Sequence, residues 1–423
     1  MAETDNYSVA NLRILKRTDV KEKILLISKD TLRTAALGCY GSELWKTKNI
    51  DELADKGTIF HRHYTAAATS AMSYSSMFTG KYCHELDRKE FTEVEVFKGE
   101  SLFRILESKG YACHIFWGES WFQNVVPYTK IYGEKTNFHN LDIEQKVGSE
   151  RIKRIDEEAV IQETLSKIVD GVLEIIETKV FIWVHFPHVL YGKTCYDSDI
   201  EVFDEFVGEM RKHFSDDSIY ITSDHGHMNM SKGVPVYGFH LYEGAVKVPL
   251  ITPRIDGNKT IEFPTSHIQL MDIILEGKII HNDHVFVDTQ YFLQENRKLA
   301  VVKDNFKYIF NKRGKKEELY DLEVDPGENV NLLQRQVEEK GRGKLYWLDE
   351  IYYYKKWDVV HSVYRDLKAE KDKVWREGSF IDELLYKINF KRKYLINKFR
   401  NKRYLIKEKG ILDSNPFVIN YKR

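Results

Sequence analysis

Short apolar runs that end in polar, chemistry-bearing residues recur along the chain. Ile24-Leu25-Leu26-Ile27-Ser28 gives way to Lys29-Asp30-Thr31, and Val180-Phe181-Ile182-Trp183-Val184 ends at His185. Ser218-Ile219-Tyr220-Ile221-Thr222 is followed directly by Ser223-Asp224-His225-Gly226. Unbroken runs of this length are the pattern of strands buried on both faces, as in a parallel sheet. Thr58–Phe60 and Ala112–Trp117 add two more strands. Helical patterns lie between them, over 50–56 with Gly57 as the stop, over 102–109 closed by Gly110, over 150–178 and over 200–213. The segment from Thr65 to Gly80 is small and polar and then turns apolar, which suits a loop feeding a helix N-terminus. The alternation predicts an α/β fold, a large, mostly parallel mixed sheet sandwiched by helices. Residues 295–335 carry short strand patterns separated by turns and predict a small C-terminal β subdomain. Residues 343–423, rich in Lys and Tyr, predict a helical extension, so the domains are 22–294, 295–335 and 343–423, after a polar arm or edge strand at 1–22.

Composition narrows the class. A chain of 423 residues that is 42% hydrophobic and 30% charged has ample material for a large core, which excludes collagen-like, low-complexity and wholly disordered chains. The four cysteines form no CxxC pair and are too few for a disulfide scaffold. They predict reduced thiols and a cytoplasmic location, consistent with a start that has no continuous apolar region and with no apolar stretch approaching the ~18 residues of a membrane span. The net charge of −1 hides an asymmetry: residues 381–423 carry +8 and the first 380 residues −9. The body gives no sign of nucleic-acid binding. The basic tail, with Ile381, Leu384, Leu385, Ile388, Leu395 and Phe399 near helical spacing, predicts either a helix packed on the body or an interfacial helix that contacts an anionic membrane face or an anionic glycan.

In a parallel sheet, ligands bind beyond the carboxyl ends of the strands, where Asp30, His185, Asp224 and His225 all fall. Two carboxylates and an imidazole suit a divalent cation. The loop of Thr69, Ser70, Ser73, Ser75 and Ser76 offers hydroxyls that a nearby cation would activate, and a helix N-terminus supplies backbone donors for an oxyanion. His185 and His188 add proton donors. Together these describe transfer of an anionic group, phosphoryl or sulfuryl. Taken singly, each has an ordinary explanation: an Asp after a strand is usually a helix N-cap, a Ser/Thr-rich loop is usually only a loop, and His-x-x-His is usually structural.

Six segments, in order, resemble the sulfatase family of the alkaline phosphatase superfamily over roughly residues 22–335. They are ILLISKDTLRTAALGCYG, NIDELADKGTIFHRHYTAAATSAMSYSSMFTGKYCHE, WVHFPHVLY, YITSDHGH, HLYEGAVKVPLI and ELYDLEVDPGENVNLL. The resemblance implies that Asp30, Asp224 and His225 hold one divalent metal ion, calcium, manganese, magnesium or zinc, with Ser70 as nucleophile and remaining ligand. It implies that His185 and His188 contact the substrate anion or protonate the leaving group. Thr69, Ser73, Tyr74 and His227 are expected at the substrate, and His240 is expected to stand in for a Lys or His usual near Tyr237-Gly238.

The departures shape the functional expectation. Family sulfatases carry a C/S-x-P/A-x-R pattern whose first residue is oxidised to formylglycine, whereas this chain has Ser70-Ala71-Met72-Ser73-Tyr74. Thr31 stands where many sulfatases keep a second Asp. An unmodified Ser70 fits the phospho-branches of the superfamily, in which a hydroxyl attacks phosphorus and forms a phospho-enzyme. A sulfo-serine would have no easy exit, a difficulty that formylglycine removes by expelling sulfate from a hemiacetal. The expectation is therefore a metal-dependent hydrolase or transferase of phosphate esters or phosphodiesters, with a glycan or lipid-linked glycan as a candidate substrate at the inner membrane face. The alternatives are a sulfatase with formylglycine at position 70 and an inactive scaffold that binds a polyanion.

Overall fold

Strand β1 (Lys23–Lys29) is buried on both faces, with Ile24 and Leu26 in one apolar cluster and Leu25 and Ile27 in another. This alternation is the two-residue period of a strand. In the computed structural model the described residues are 22–86, 99–118, 131–141, 157–187, 199–229, 231–234, 237–289, 297–312, 316–333 and 357–374. The further strands are β2 (Thr58–Phe60), β3 (His63–Tyr64), β4 (Ala112–Trp117), β5 (Asn137–Asn140), β6 (Val180–Phe186), β7 (Ile219–Ser223), β8 (Leu250–Thr252), β9 (Thr260–Ile261), β10 (Thr265–Ser266), β11 (Val285–Asp288), β12 (Lys298–Lys303), β13 (Phe306–Asn311) and β14 (Lys316–Asp321). The helices that bear on the site are α1 (Lys48–Lys56), α2 (Ser70–Thr79), α3 (Leu102–Ser108), α4 (Glu157–Leu173), α5 (Ile200–His213), α6 (Glu243–Val246) and α7 (Leu270–Glu276).

An eight-stranded sheet runs in the order β5-β4-β6-β1-β7-β8-β2-β9. Its five strands from β5 to β7 are parallel to one another, and β8 is antiparallel to both its neighbours. Leu25 and Ile27 share one cluster with Ile50 and Leu53 of α1, Ile168 and Val172 of α4, and Phe203 and Phe206 of α5. Ile24 and Leu26 share the other with Tyr74, Met77 and Phe78 of α2, Leu102, Phe103 and Leu106 of α3, and Leu270 and Ile273 of α7. Helices therefore cover both faces, as the sequence predicts, because each strand face is apolar and must be shielded from water.

The second sheet is antiparallel, in the order β11-β12-β13-β14. Its first strand precedes residue 295. A third cluster joins it to the larger sheet's loops: Val285, Val287, Ala300 and Val302 pack with Tyr64, Ala68, Leu241, Ala245 and Val246. Residues up to Lys368 form one unit holding both sheets, and the second unit begins at Ala369 within helix α8 (Trp357–Val374). Among the described residues no helix is long and apolar enough to cross a membrane. The basic stretch 381–423 and the N-terminal arm lie outside the described residues. Cys39, Cys83 and Cys113 are free thiols.

Candidate active site

Sheet register brings the chemistry to one edge. β1 pairs with β7 so that Lys29 faces Ser223, and the residues that follow these two are Asp30 and Asp224. On the other side β1 pairs with β6 so that Ser28 faces His185. Ligand atoms of Asp30, Asp224 and His225 lie within 4.8 Å of one another, and all three residues are buried. The Ser70 hydroxyl, in the first turn of α2, lies 3.1 Å from His225 Nε2.

The backbone around these groups is shaped to hold them. Thr31 adopts a left-handed conformation with φ 57°, a region that disfavours a β-branched residue. Two bonds stabilise it there: its N–H donates to Asp224 Oδ1 at 3.1 Å and its hydroxyl donates to the Asp30 carbonyl at 2.7 Å. The same Asp224 oxygen accepts from the His225 N–H at 2.8 Å. Burial pushes the Asp224 carboxyl up, but His225, His185 and hydrogen bonds from Ser70 and Thr31 outweigh it and hold the group below the usual carboxylate range. His225 Nδ1 lies 2.9 Å from the Gly226 carbonyl, which can only accept, so Nδ1 carries a proton there, and Nε2 is the nitrogen turned toward Ser70 and Asp224. Two carboxylates, one imidazole nitrogen and one hydroxyl, all buried together, are a donor set that fits a divalent cation.

The second half of the first α2 turn holds the site from behind. Ser73 is fully buried, and its hydroxyl donates to the Asp224 carbonyl at 2.6 Å. Its lone pair then faces His267 Nδ1 at 2.9 Å, so His267 donates there. Burial drives His267 down to about 3, which keeps it neutral. This corrects the expectation of Ser73 at the substrate: its one proton is committed to the backbone of a site residue. Tyr74 is turned inward as well, with its hydroxyl 2.6 Å from His185 Nδ1 and its ring edge-on to Trp183. Trp183 Nε1–H donates to Ser28 Oγ at 2.8 Å, which in turn lies 3.4 Å from His185 Nδ1. Both Tyr74 and His185 are buried side chains, and they contact each other.

A wall formed by residues 237–240 closes one side. The Tyr237 ring lies 4.1 Å from that of His225 and 5.8 Å from that of His227. His227 Nδ1 accepts from the Asn229 N–H at 3.0 Å. A Cβ on Gly238 would come within 3.3 Å of Thr69 Cγ2, so this wall rests against the residue that precedes Ser70. Thr69 Oγ1 is buried without a hydrogen-bond partner. His240, expected among the catalytic groups, makes its contacts with other residues than Asp30, Asp224 and His225: its Nδ1 lies 3.1 Å from Lys298 Nζ, and its ring stacks on Tyr242. Burial and the Lys298 charge hold His240 at about 4. His188 lies outside the described residues. His267 had no signal in the sequence, since it belongs to no motif and reaches Ser73 only through long-range packing.

Residues 22–276 match the family model named Sulfatase. Human arylsulfatase D is 42% identical over 62 residues, 15% of this chain and 10% of that protein. The N-acetylglucosamine-6-O-sulfatase of Bacteroides thetaiotaomicron is 31% identical over 99 residues, 23% of this chain and 17% of that protein. The chain thus spans less than a fifth of the length of these curated relatives. Among solved structures, the phosphonate monoester hydrolase of Agrobacterium radiobacter superposes with a TM-score of 0.61 at 14% identity, covering 84% of this chain and 96% of that one. At that identity the likeness is one of fold.

Proposed function

The chain belongs to the sulfatase family, and from that premise we propose that it hydrolyses phosphate-type esters with Ser70 as an unmodified nucleophile. The observation that carries this reading is position 74. A tyrosine stands there, and its hydroxyl is turned onto His185 at 2.6 Å, so this position brings no guanidinium to steady a hydrated aldehyde at residue 70. Ser70 meanwhile keeps its hydroxyl 3.1 Å from His225 Nε2.

In this mechanism Ser70 Oγ attacks phosphorus, an Oγ–P bond forms, and the P–O bond to the alcohol breaks. Water then displaces Ser70 from the phospho-serine, so that one hard displacement becomes two easier ones. Asp30, Asp224 and His225 Nε2 would hold a divalent cation beside Ser70; bound there, it lowers the hydroxyl's pKa and neutralises charge on the ester oxygens. Backbone N–H groups at the start of α2 face the oxyanion, where the helix dipole favours negative charge. His185 is held by Tyr74 and Ser28, and with His188 it is assigned the proton that the departing alcohol needs.

The second reading is sulfate-ester hydrolysis through formylglycine at residue 70. It is favoured by the matched curated relatives, which are named sulfatases. Mass spectrometry of the peptide carrying Ser70 separates the two. An intact serine or a trapped phosphoserine is expected; a residue lighter by two hydrogens would replace the phosphate reading with the sulfate one. Ser70→Ala should abolish hydrolysis of 4-nitrophenyl phosphate, and full activity in that variant would overturn the mechanism.

A further inference from the structure

Residue 298 begins β12 in the antiparallel sheet, yet it is tied to the nucleophile loop. The Lys298 N–H donates to Thr289 Oγ1 at 2.9 Å, and its carbonyl accepts from the Thr289 N–H at 3.1 Å. Thr289 follows Asp288, whose N–H donates to the Ala66 carbonyl at 3.0 Å and whose carbonyl accepts from the Ala68 N–H at 3.2 Å. Ala66–Ala68 leads directly into Thr69 and Ser70. A second route leads to the same loop: Lys298 Nζ donates to the Phe239 carbonyl at 2.6 Å and to His240 Nδ1 at 3.1 Å, in the wall whose Gly238 rests on Thr69 and whose Tyr237 ring lies against His225.

The two cations at this corner differ. Arg297 is committed to Asp288 through its guanidinium. Lys298 is half-buried, and both of its partners are neutral acceptors. Among the described residues no carboxylate lies within ion-pair distance of it; the charge it feels, that of Glu318, acts from farther away. An ammonium withdrawn from water without an anion is unfavourable, and Lys298 has a third N–H to give. Thr69 Oγ1, on the loop that Gly238 of the wall rests against, is buried and has no partner.

We propose that Lys298 is a substrate-binding residue, donated by the antiparallel sheet to the wall beside Ser70, and that it receives an oxyanion of the ester substrate. The proposal rests on the anionic-ester reading above and extends it. It also explains why the sheet's first strands are tied by backbone bonds to the loop before the nucleophile. The oxyanion is either the group being cleaved or a second anionic substituent of the same substrate.

Binding, measured by calorimetry on the full chain with Ser70→Ala throughout so that neither probe is turned over, tests this, wild type here referring to residue 298. The probes are inorganic phosphate and glucose 1,6-bisphosphate, and the variants are Lys298→Gln and Lys298→Arg. Gln keeps a donor for the Phe239 carbonyl and His240 but removes the charge, so a purely structural role survives it. Loss of about tenfold in affinity is expected with Gln and much less with Arg, as for a charge-assisted bond to an oxyanion. Loss for both probes assigns Lys298 to the cleaved group, and loss for the bisphosphate alone assigns it to a second anion. Wild-type affinity for both probes in Lys298→Gln would overturn the proposal, and so would a wild-type protein that binds neither. A protein that binds phosphate but hydrolyses no phosphate ester would sink the proposed reaction and leave this inference standing.

Discussion

At the scale of single residues, Tyr74 is the substitution with the clearest consequence. Its hydroxyl fixes one nitrogen of His185, so the imidazole presents the other in a defined orientation. Tyr74→Phe removes that bond and leaves the ring packed against Trp183. Steady-state kinetics on a phosphate ester should show kcat reduced about tenfold with KM little changed, the signature of an interaction that matters in the transition state. Unchanged kcat would show that His185 needs no such partner. His267 makes a prediction about acidity. Its folded value lies at about 3, below the ordinary 6.5, so between those limits the unfolded chain binds the extra proton. The stability tied to a neutral His267 is complete above about pH 6.5 and is lost as pH falls toward 3. Urea denaturation of His267→Gln should give lower stability at pH 7.5 but a smaller further loss at pH 5 than the wild type shows. An equal loss at pH 5 would assign the acid sensitivity elsewhere, with buried His63 the next group to examine.

At the scale of elements, strands whose faces are both buried were legible because nothing but an unbroken apolar run can occupy such a position. β1, β4, β6 and β7 fall within about a residue of the runs that predict them. β5 escaped because Asn137–Asn140 is an exposed polar edge strand, and β3 and β10 because two residues carry no period. β11 was invisible as a member of the antiparallel sheet because pairing is set by tertiary contact, not by its own sequence. Within the site, the Asp30, Asp224, His225 and Ser70 grouping was legible from motifs. The contacts of Tyr74 with His185, Ser73 with His267 and His240 with Lys298 were not, since each joins residues far apart in sequence. Gly226 belongs to this scale, because it lets the turn after β7 pass the start of α6. A Cβ there would lie 2.2 Å from the Gly244 carbonyl oxygen, a backbone atom that cannot step aside. Gly226→Ala should lower stability by about 1–3 kcal/mol, as overpacking does, and shift His225 with it. A thermal midpoint equal to that of the wild type would show that the turn can relax.

At the scale of the whole molecule, the two sheets are joined by a buried cation rather than by apolar contact alone. Lys307 of β13 is fully buried and lies 3.0 Å from Glu243 at the start of α6 and 2.9 Å from Glu328 in the turn after β14. Glu328 also accepts from the Glu243 N–H at 2.7 Å. Two of the segments that carry the family resemblance, HLYEGAV and DPGENV, therefore meet on one lysine. Burial lowers Lys307's affinity for its proton, but the two carboxylates outweigh this and hold it protonated. Lys307→Met would leave two carboxylates buried together with no cation between them, a loss of the order of 3–5 kcal/mol. Glu328→Gln keeps the pair of Lys307 with Glu243, and it should cost far less because burial already raises the Glu328 carboxyl. Chemical denaturation of the two variants tests the asymmetry, and equal losses would mean that the joint holds by packing alone. The joint also bears on the site. Lys298 belongs to the strand next to β13, so a sheet loosened by Lys307→Met should bind inorganic phosphate more weakly although neither residue 70 nor residue 225 has been touched. Phosphate affinity retained in a destabilised Lys307→Met would show that the wall beside Ser70 stands without the sheet behind it.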